Sequence, residues 1–211
     1  MDSKRFLKDF TDLISQKYCF YCGKIEEVIC TDCILLKINN PKLHFINNIP
    51  VLSMIENDHI ITSLVVAYKD QGVSTLKDPF ARILSFGLKH FSKHKNIKVV
   101  NVPSSARAIQ KRGLDPISLM TQKACEISGK RFKFDNDLLV SDKNRKDQAK
   151  LNFKERRLNM QDAFKANHYE EKPVLIVDDL TTTGSSLLSS IFALQKNKIK
   201  VEACVVLVSS D

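Results

Sequence analysis

Residues 174–186 read Val174-Leu175-Ile176-Val177-Asp178-Asp179-Leu180-Thr181-Thr182-Thr183-Gly184-Ser185-Ser186. The first four are apolar and mostly β-branched, the composition of a strand buried on both faces of a parallel sheet. Asp178 and Asp179 then stand at its C-terminal edge, where open α/β sheets bind ligands. From Thr181 the chain turns polar, passes Gly184 and enters a helix whose apolar residues Leu187, Ile191 and Leu194 recur at helical spacing. The hydroxyls and free N–H groups of Thr182, Thr183, Gly184, Ser185 and Ser186 face whatever sits at that helix N-terminus. Such a terminus attracts a dianionic phosphate through its unpaired donors and the helix dipole. A turn that merely caps its helix needs one such residue and not seven.

The order of strand, acidic pair, two spacers, Thr-Thr-Gly and small hydroxyl residues resembles the ribose-5-phosphate motif of type I phosphoribosyltransferases. That resemblance implies that Asp178 and Asp179 bind the ribose hydroxyls of phosphoribosyl pyrophosphate (PRPP). Thr182, Thr183, Gly184, Ser185 and Ser186 would then hold its 5′-phosphate.

A chain of 211 residues suffices for one well-buried α/β domain and a small appendage. Lysine and arginine number 33 against 24 acidic residues, and the resulting charge of +9 favours anionic partners such as phosphates or nucleic acid. Charges at Lys4, Arg5, Lys8 and Asp9 interrupt the N-terminal apolar residues, so no signal-peptide core is expected. No apolar run approaches the ~20 residues of a membrane span. A cytoplasmic location follows as the simplest expectation, and there paired cysteines more often mean metal than disulfides.

Four of the six cysteines form Cys19-Phe-Tyr-Cys22 and Cys30-Thr-Asp-Cys33. Each CxxC brings two sulfurs to one metal around a tight turn, and two of them complete a closed tetrahedral zinc site. With no open position for a catalytic water, the zinc is expected to be structural. The remaining two, Cys125 and Cys204, read as buried small apolar residues in a helix and a strand.

Residues 41–50, with two prolines and two asparagines, read as a linker between a zinc module at 1–45 and a main domain at 50–211. His59 to Tyr68 is rich in Ile, Val and Thr and reads as a strand, and Val73 to Phe91 as an amphipathic helix. Ile97 to Val102 reads as a further strand. It leads into a second polar loop, where Ser104, Ser105 and Arg107 are candidates for a separate pyrophosphate site. Asp115-Pro116 has the form of a helix start, with an N-cap followed by proline.

The densest positive stretch holds Lys143, Arg145, Lys146, Lys150, Lys154, Arg156 and Arg157. It reads either as a solvated loop, or as a flap over a ligand or a track for a nucleic-acid backbone. Phe153 and, at a distance, Phe164 offer stacking surface for single-stranded bases.

In sequence order, the doubled CxxC, Tyr68-Lys69, Gly72, Pro103, Arg107, Arg112-Gly113, Gln148, Leu151, Arg156, Arg157, Asn159, Phe164 and Asp178-Asp179 make nearly the whole chain resemble the competence protein F (ComF) family. The resemblance implies a type I phosphoribosyltransferase fold, a parallel sheet flanked by helices, with an N-terminal zinc module. It also implies PRPP with Mg²⁺ as ligands and a role in handling incoming single-stranded DNA during natural transformation, alongside a competence helicase or DNA-uptake machinery. Phosphoribosyl transfer to an unknown acceptor is one implied activity, and single-stranded DNA binding or scaffolding without catalysis the other. The sequence departs from the family pattern at Leu114-Asp115-Pro116, which stands where Phe-Asn-Gln is usual, and at Asn101, which stands where proline is usual.

Overall fold

The computed structural model describes residues 18–25, 27–91, 96–141, 163–167 and 172–209. Lys143, Arg145, Lys146, Lys150, Phe153, Lys154, Arg156 and Arg157 lie outside the described residues. After Cys30 come α1 (Thr31–Lys37), β1 (Lys42–Ile46), β2 (Ile49–Glu56) and α2 (His59–Gln71). A 3-10 turn at Ser74–Leu76 then leads into α3 (Lys77–His90) and β3 (Ile97–Asn101). Next are α4 (Ala106–Arg112), α5 (Pro116–Ser128), β4 (Phe132–Phe134), β5 (Leu139–Ser141) and β6 (Phe164–Ala166). The described chain ends with β7 (Val174–Thr181), α6 (Ser185–Lys196) and β8 (Val201–Ser209).

Six strands form one sheet in the order β1-β2-β8-β7-β3-β4, antiparallel only between β1 and β2. The expectation of an α/β fold with a mostly parallel sheet is met. Alternate residues of the central strands feed two cores. Leu175, Val177, Ala203 and Val205 pack with α2, α3 and α5, whereas Val174, Ile176, Cys204 and Val206 pack with Leu187, Ile191 and Leu194 of α6. Burial on both faces is why these strands read as continuous apolar runs.

The connection from β3 runs through α5 on one face to β4, and the connection from β7 runs through α6 on the other face to β8. β3 and β7 are neighbours whose connections leave in opposite directions, a topological switch point of the kind that opens a ligand crevice. Both polar loops singled out in the sequence leave the sheet here.

Three expectations are corrected. Residues 59–68 are helical, because Asp58 caps the helix by accepting the Ile61 N–H at 2.7 Å. Ile61, Leu64, Val65 and Tyr68 of α2 form the buried stripe, with spacing of three and four, while Val66 stays exposed. Residues 41–50 are no linker but the turn and flanks of the β1–β2 hairpin. Asn47 and Asn48, both at positive φ, make its two-residue turn, a conformation asparagine tolerates. Phe164 is buried beneath α6 in the second core and offers no face for stacking bases.

Candidate functional site

β7 is longer than its apolar start suggests. Its pairing with β3 ends at Val177, opposite Asn101, whereas its pairing with β8 continues through Asp178 to Thr181. The acidic pair therefore begins where one neighbour has stopped and the other still holds the backbone. Asp179 shares its face with Leu175 and Val177, the face that α2 covers, and is only 1% exposed. Asp178 is nearly as buried, and its Oδ1 accepts the Asp179 N–H at 2.9 Å.

Lys69, in the last turn of α2, belongs to the sequence pattern above, which assigns it no role. Its ammonium donates to Asp179 Oδ1 at 3.0 Å and lies 2.9 Å from Oδ2, which has no hydrogen bond of its own. Burial opposes the charge on Lys69, yet the carboxylates of Asp179 and Asp178 outweigh it and hold its pKa above the ordinary lysine value. Burial, and then the adjacent charge of Asp179, push Asp178 well above the usual aspartate range. Arg112 clamps this corner: its Nη1 donates to the Lys69 carbonyl at 2.8 Å and its Nε to the Ala108 carbonyl at 3.1 Å. Neither partner is close in sequence to Asp179, so spacing gave no signal of the contact.

Gly184 begins α6 in the left-handed conformation, φ 64°, and brings no side chain to cap the helix. The first N–H groups of α6 are thus left without a side-chain acceptor. Thr182, Thr183 and Ser186 are exposed around them, Ser185 is half-buried, and the Thr183 and Ser185 hydroxyls lie 2.9 Å apart. A Cβ on Gly184 would fall 2.6 Å from Ile46 Cδ1, so the hairpin forms the floor of this turn.

The second loop is arranged differently from the first. Ser105 is the N-cap of α4, accepting the Ala108 N–H at 3.2 Å, and Ser104 donates to Asp115 Oδ1 at 3.0 Å. Arg107 is exposed on α4.

The four cysteine sulfurs Cys19, Cys22, Cys30 and Cys33 lie within 4.8 Å of one another. Zinc–sulfur bonds of about 2.3 Å put the sulfurs of a tetrahedral site about 3.8 Å apart, so this cluster could hold a zinc ion with small adjustments. The first knuckle turns at Gly23, φ 73°, whose N–H donates to the Cys19 carbonyl at 2.8 Å. Burial opposes ionisation of Cys19, but the N–H groups of Cys30, Cys22 and Tyr21 outweigh it and bring its pKa down to about 7. That is a sulfur prepared to act as thiolate. Ile29 and Ile34 carry the cluster into the core shared with α3, and Arg82 of α3 grips Glu27 and, at 3.2 Å, Thr31 Oγ1.

No family model and no curated protein matches the chain. Among solved structures it is similar to a hypoxanthine phosphoribosyltransferase from Staphylococcus aureus, with a TM-score of 0.39 and 15% identity. That match covers 64% of this chain and 62% of the other, less than two thirds of its length. It is also similar to an orotate phosphoribosyltransferase from Aeropyrum pernix, with a TM-score of 0.38 and 16% identity over 83% of this chain and 79% of that one. No helix among the described residues is long and apolar enough to cross a membrane.

Proposed function

We propose that the chain binds PRPP at the junction of β7 and α6 and is a phosphoribosyltransferase-type protein of the ComF kind. The observation that carries the reading is the meeting, at the switch point between β3 and β7, of two buried carboxylates and an uncapped, hydroxyl-rich helix start. Asp178 and Asp179 take the ribose hydroxyls, and Asp179 Oδ2, held only by its ion pair with Lys69, keeps a lone pair for such a hydroxyl. The N–H groups and hydroxyls from Thr182 to Ser186 take the 5′-phosphate. Ser104, Ser105 and Arg107 receive the pyrophosphate at the C-terminal end of the neighbouring strand β3, so that positioning and charge stabilisation do the chemical work.

The donors at this edge are carboxylate and hydroxyl oxygens, which Mg²⁺ accepts alongside substrate phosphates. When bound, Mg²⁺ neutralises the pyrophosphate charge. Zinc in the four-cysteine cluster is structural in this reading. The protein works in the cytoplasm on incoming single-stranded DNA, beside a helicase or uptake machinery. A reading without catalysis, as a single-stranded DNA-binding or scaffold protein, draws on the charge of +9 and on the basic run from Lys143 to Arg157.

Calorimetric titration of the zinc-loaded chain with PRPP and Mg²⁺, with and without a single-stranded oligonucleotide, tests both. Saturable PRPP binding that is lost on replacing Asp178 and Asp179 together by Asn is expected. Oligonucleotide binding with no PRPP binding would leave only the second reading standing.

A further inference from the structure

A groove of about 860 Å³ runs along the exposed side of α5 beside the edge strand β4, within the size range of small-molecule sites. Leu114, Leu119 and Phe134 give it apolar walls, and Asp115, Ser118 and Asn136 a polar end. Behind that end lies Asn101, the last residue of β3, which is 5% exposed.

The hydrogen bonds at the polar end do not balance. The Ser118 hydroxyl lies 3.0 Å from Asp115 Oδ2, 3.2 Å from Asn101 Oδ1 and 2.9 Å from Asn136 Oδ1, and it has one proton to give. Asn101 cannot resolve this by turning over, since its Nδ2 donates to the Val102 carbonyl at 2.9 Å and so fixes Oδ1 towards Ser118. Exposed Asn136 can turn and donate to Ser118, which still leaves Asp115 Oδ2 and Asn101 Oδ1 sharing a single proton. Asp115 Oδ1 is already engaged by Ser104 and the Ile117 N–H. The end of the groove is therefore rich in acceptors, one of them charged, and short of donors.

We infer that this groove is a binding site for a planar, amino-bearing ligand, an amino-substituted heterocycle or amidine. Its N–H edge donates to Asp115 Oδ2, which frees the single Ser118 proton for the buried Asn101 Oδ1 behind it, and its flat apolar body lies between Leu114, Leu119 and Phe134. The Asp115 carboxylate makes this bond charge-assisted, and such bonds are about twice as strong as neutral ones. The site stands on its own residues and does not depend on how Asp178 and Asp179 are read.

The probe pair is 2-aminopyridine and 2-methylpyridine, which share a shape and differ in the donor. Titrated into the ¹⁵N-labelled, zinc-loaded full chain, 2-aminopyridine should shift amide signals of residues 114–136 saturably, and 2-methylpyridine should bind at least tenfold more weakly. Asp115→Asn keeps the helix cap, because Asn caps as well as Asp. It removes the charge and should weaken 2-aminopyridine about tenfold. Ser118→Ala, which leaves the cap untouched, should preserve or strengthen the preference for the amino compound. The inference is overturned by equal affinity for the two probes, by an unchanged affinity in a folded Asp115→Asn protein, or by shifts confined to other residues or absent up to the solubility limit.

Discussion

Lys69 Nζ lies 2.9 Å and 3.0 Å from the two carboxylate oxygens of Asp179, across 110 residues of sequence, so the acidic edge of β7 is neutralised from α2. Asp179 is buried and the Lys69 side chain is about a third exposed. Lys69→Met strands a charge without a partner. Breaking a fully buried pair costs about 3–5 kcal/mol, and the partial exposure of Lys69 reduces this to roughly 1–3 kcal/mol. Urea melts should show Lys69→Met to be less stable than the double variant Lys69→Met, Asp179→Asn; equal stabilities would remove the pair from the account. Because the pair raises the Lys69 pKa, its contribution is complete below the ordinary lysine value of about 10.4 and is lost as pH rises through the higher folded value.

Asp178 is expected to be a residue kept at the expense of stability. Its folded pKa is raised by burial and by Asp179, so the folded chain resists its ionisation. The wild-type protein should match Asp178→Asn below the ordinary aspartate pKa of about 3.9, then fall behind it as pH rises towards the elevated folded value. Thermal melts of both proteins across that range check this, and a difference independent of pH would exclude charge as its source. Asp178→Asn is expected to be more stable at neutral pH while binding PRPP more weakly.

Gly184→Ala should cost about 1–3 kcal/mol, from a positive φ that alanine resists and a methyl placed on Ile46 Cδ1. Ile46→Ala makes room for the methyl but does not relieve the backbone. The double variant should therefore recover less stability than the sum of a clash-only model, as read from melts of all four proteins.

One zinc ion per chain is expected by atomic absorption, and Cys22→Ser should abolish its retention. Stripping the metal with a strong chelator should lower the melting temperature and expose Ile29 and Ile34, which now pack in the core with α3. If chelation leaves melting unchanged, the thiols do not hold a structural ion.

The sequence makes β7, α6 and the four cysteines legible because residue type and spacing agree there over short distances. The β1–β2 hairpin was equally local: Asn47-Asn48 between alternating apolar residues is a two-residue turn, but the flanking prolines suggest a linker instead. In α2, β-branched Ile61 and Val65 suggest a strand, while the spacing of Ile61, Leu64, Val65 and Tyr68 is that of a helix, and burial against the sheet decided between them. The contacts of Lys69 with Asp179, and of Ser118 with Asn101, join separate elements. No spacing rule reaches them, and only the topology brings them together.

The turn at Gly184 rests on Ile46, and the second strand of that hairpin, β2, pairs with β8 through Val51 and Cys204. On a ribosome these partners emerge at very different times. The nascent hairpin has no sheet to join, and the switch-point crevice has no wall, until the residues of β8 have been translated. Such distant pairing makes folding slow and leaves an apolar strand edge waiting. Assembly of the crevice is thus a late, nearly all-or-none event, and a stalled or truncated chain should be a client of chaperones before it is a ligand-binding protein.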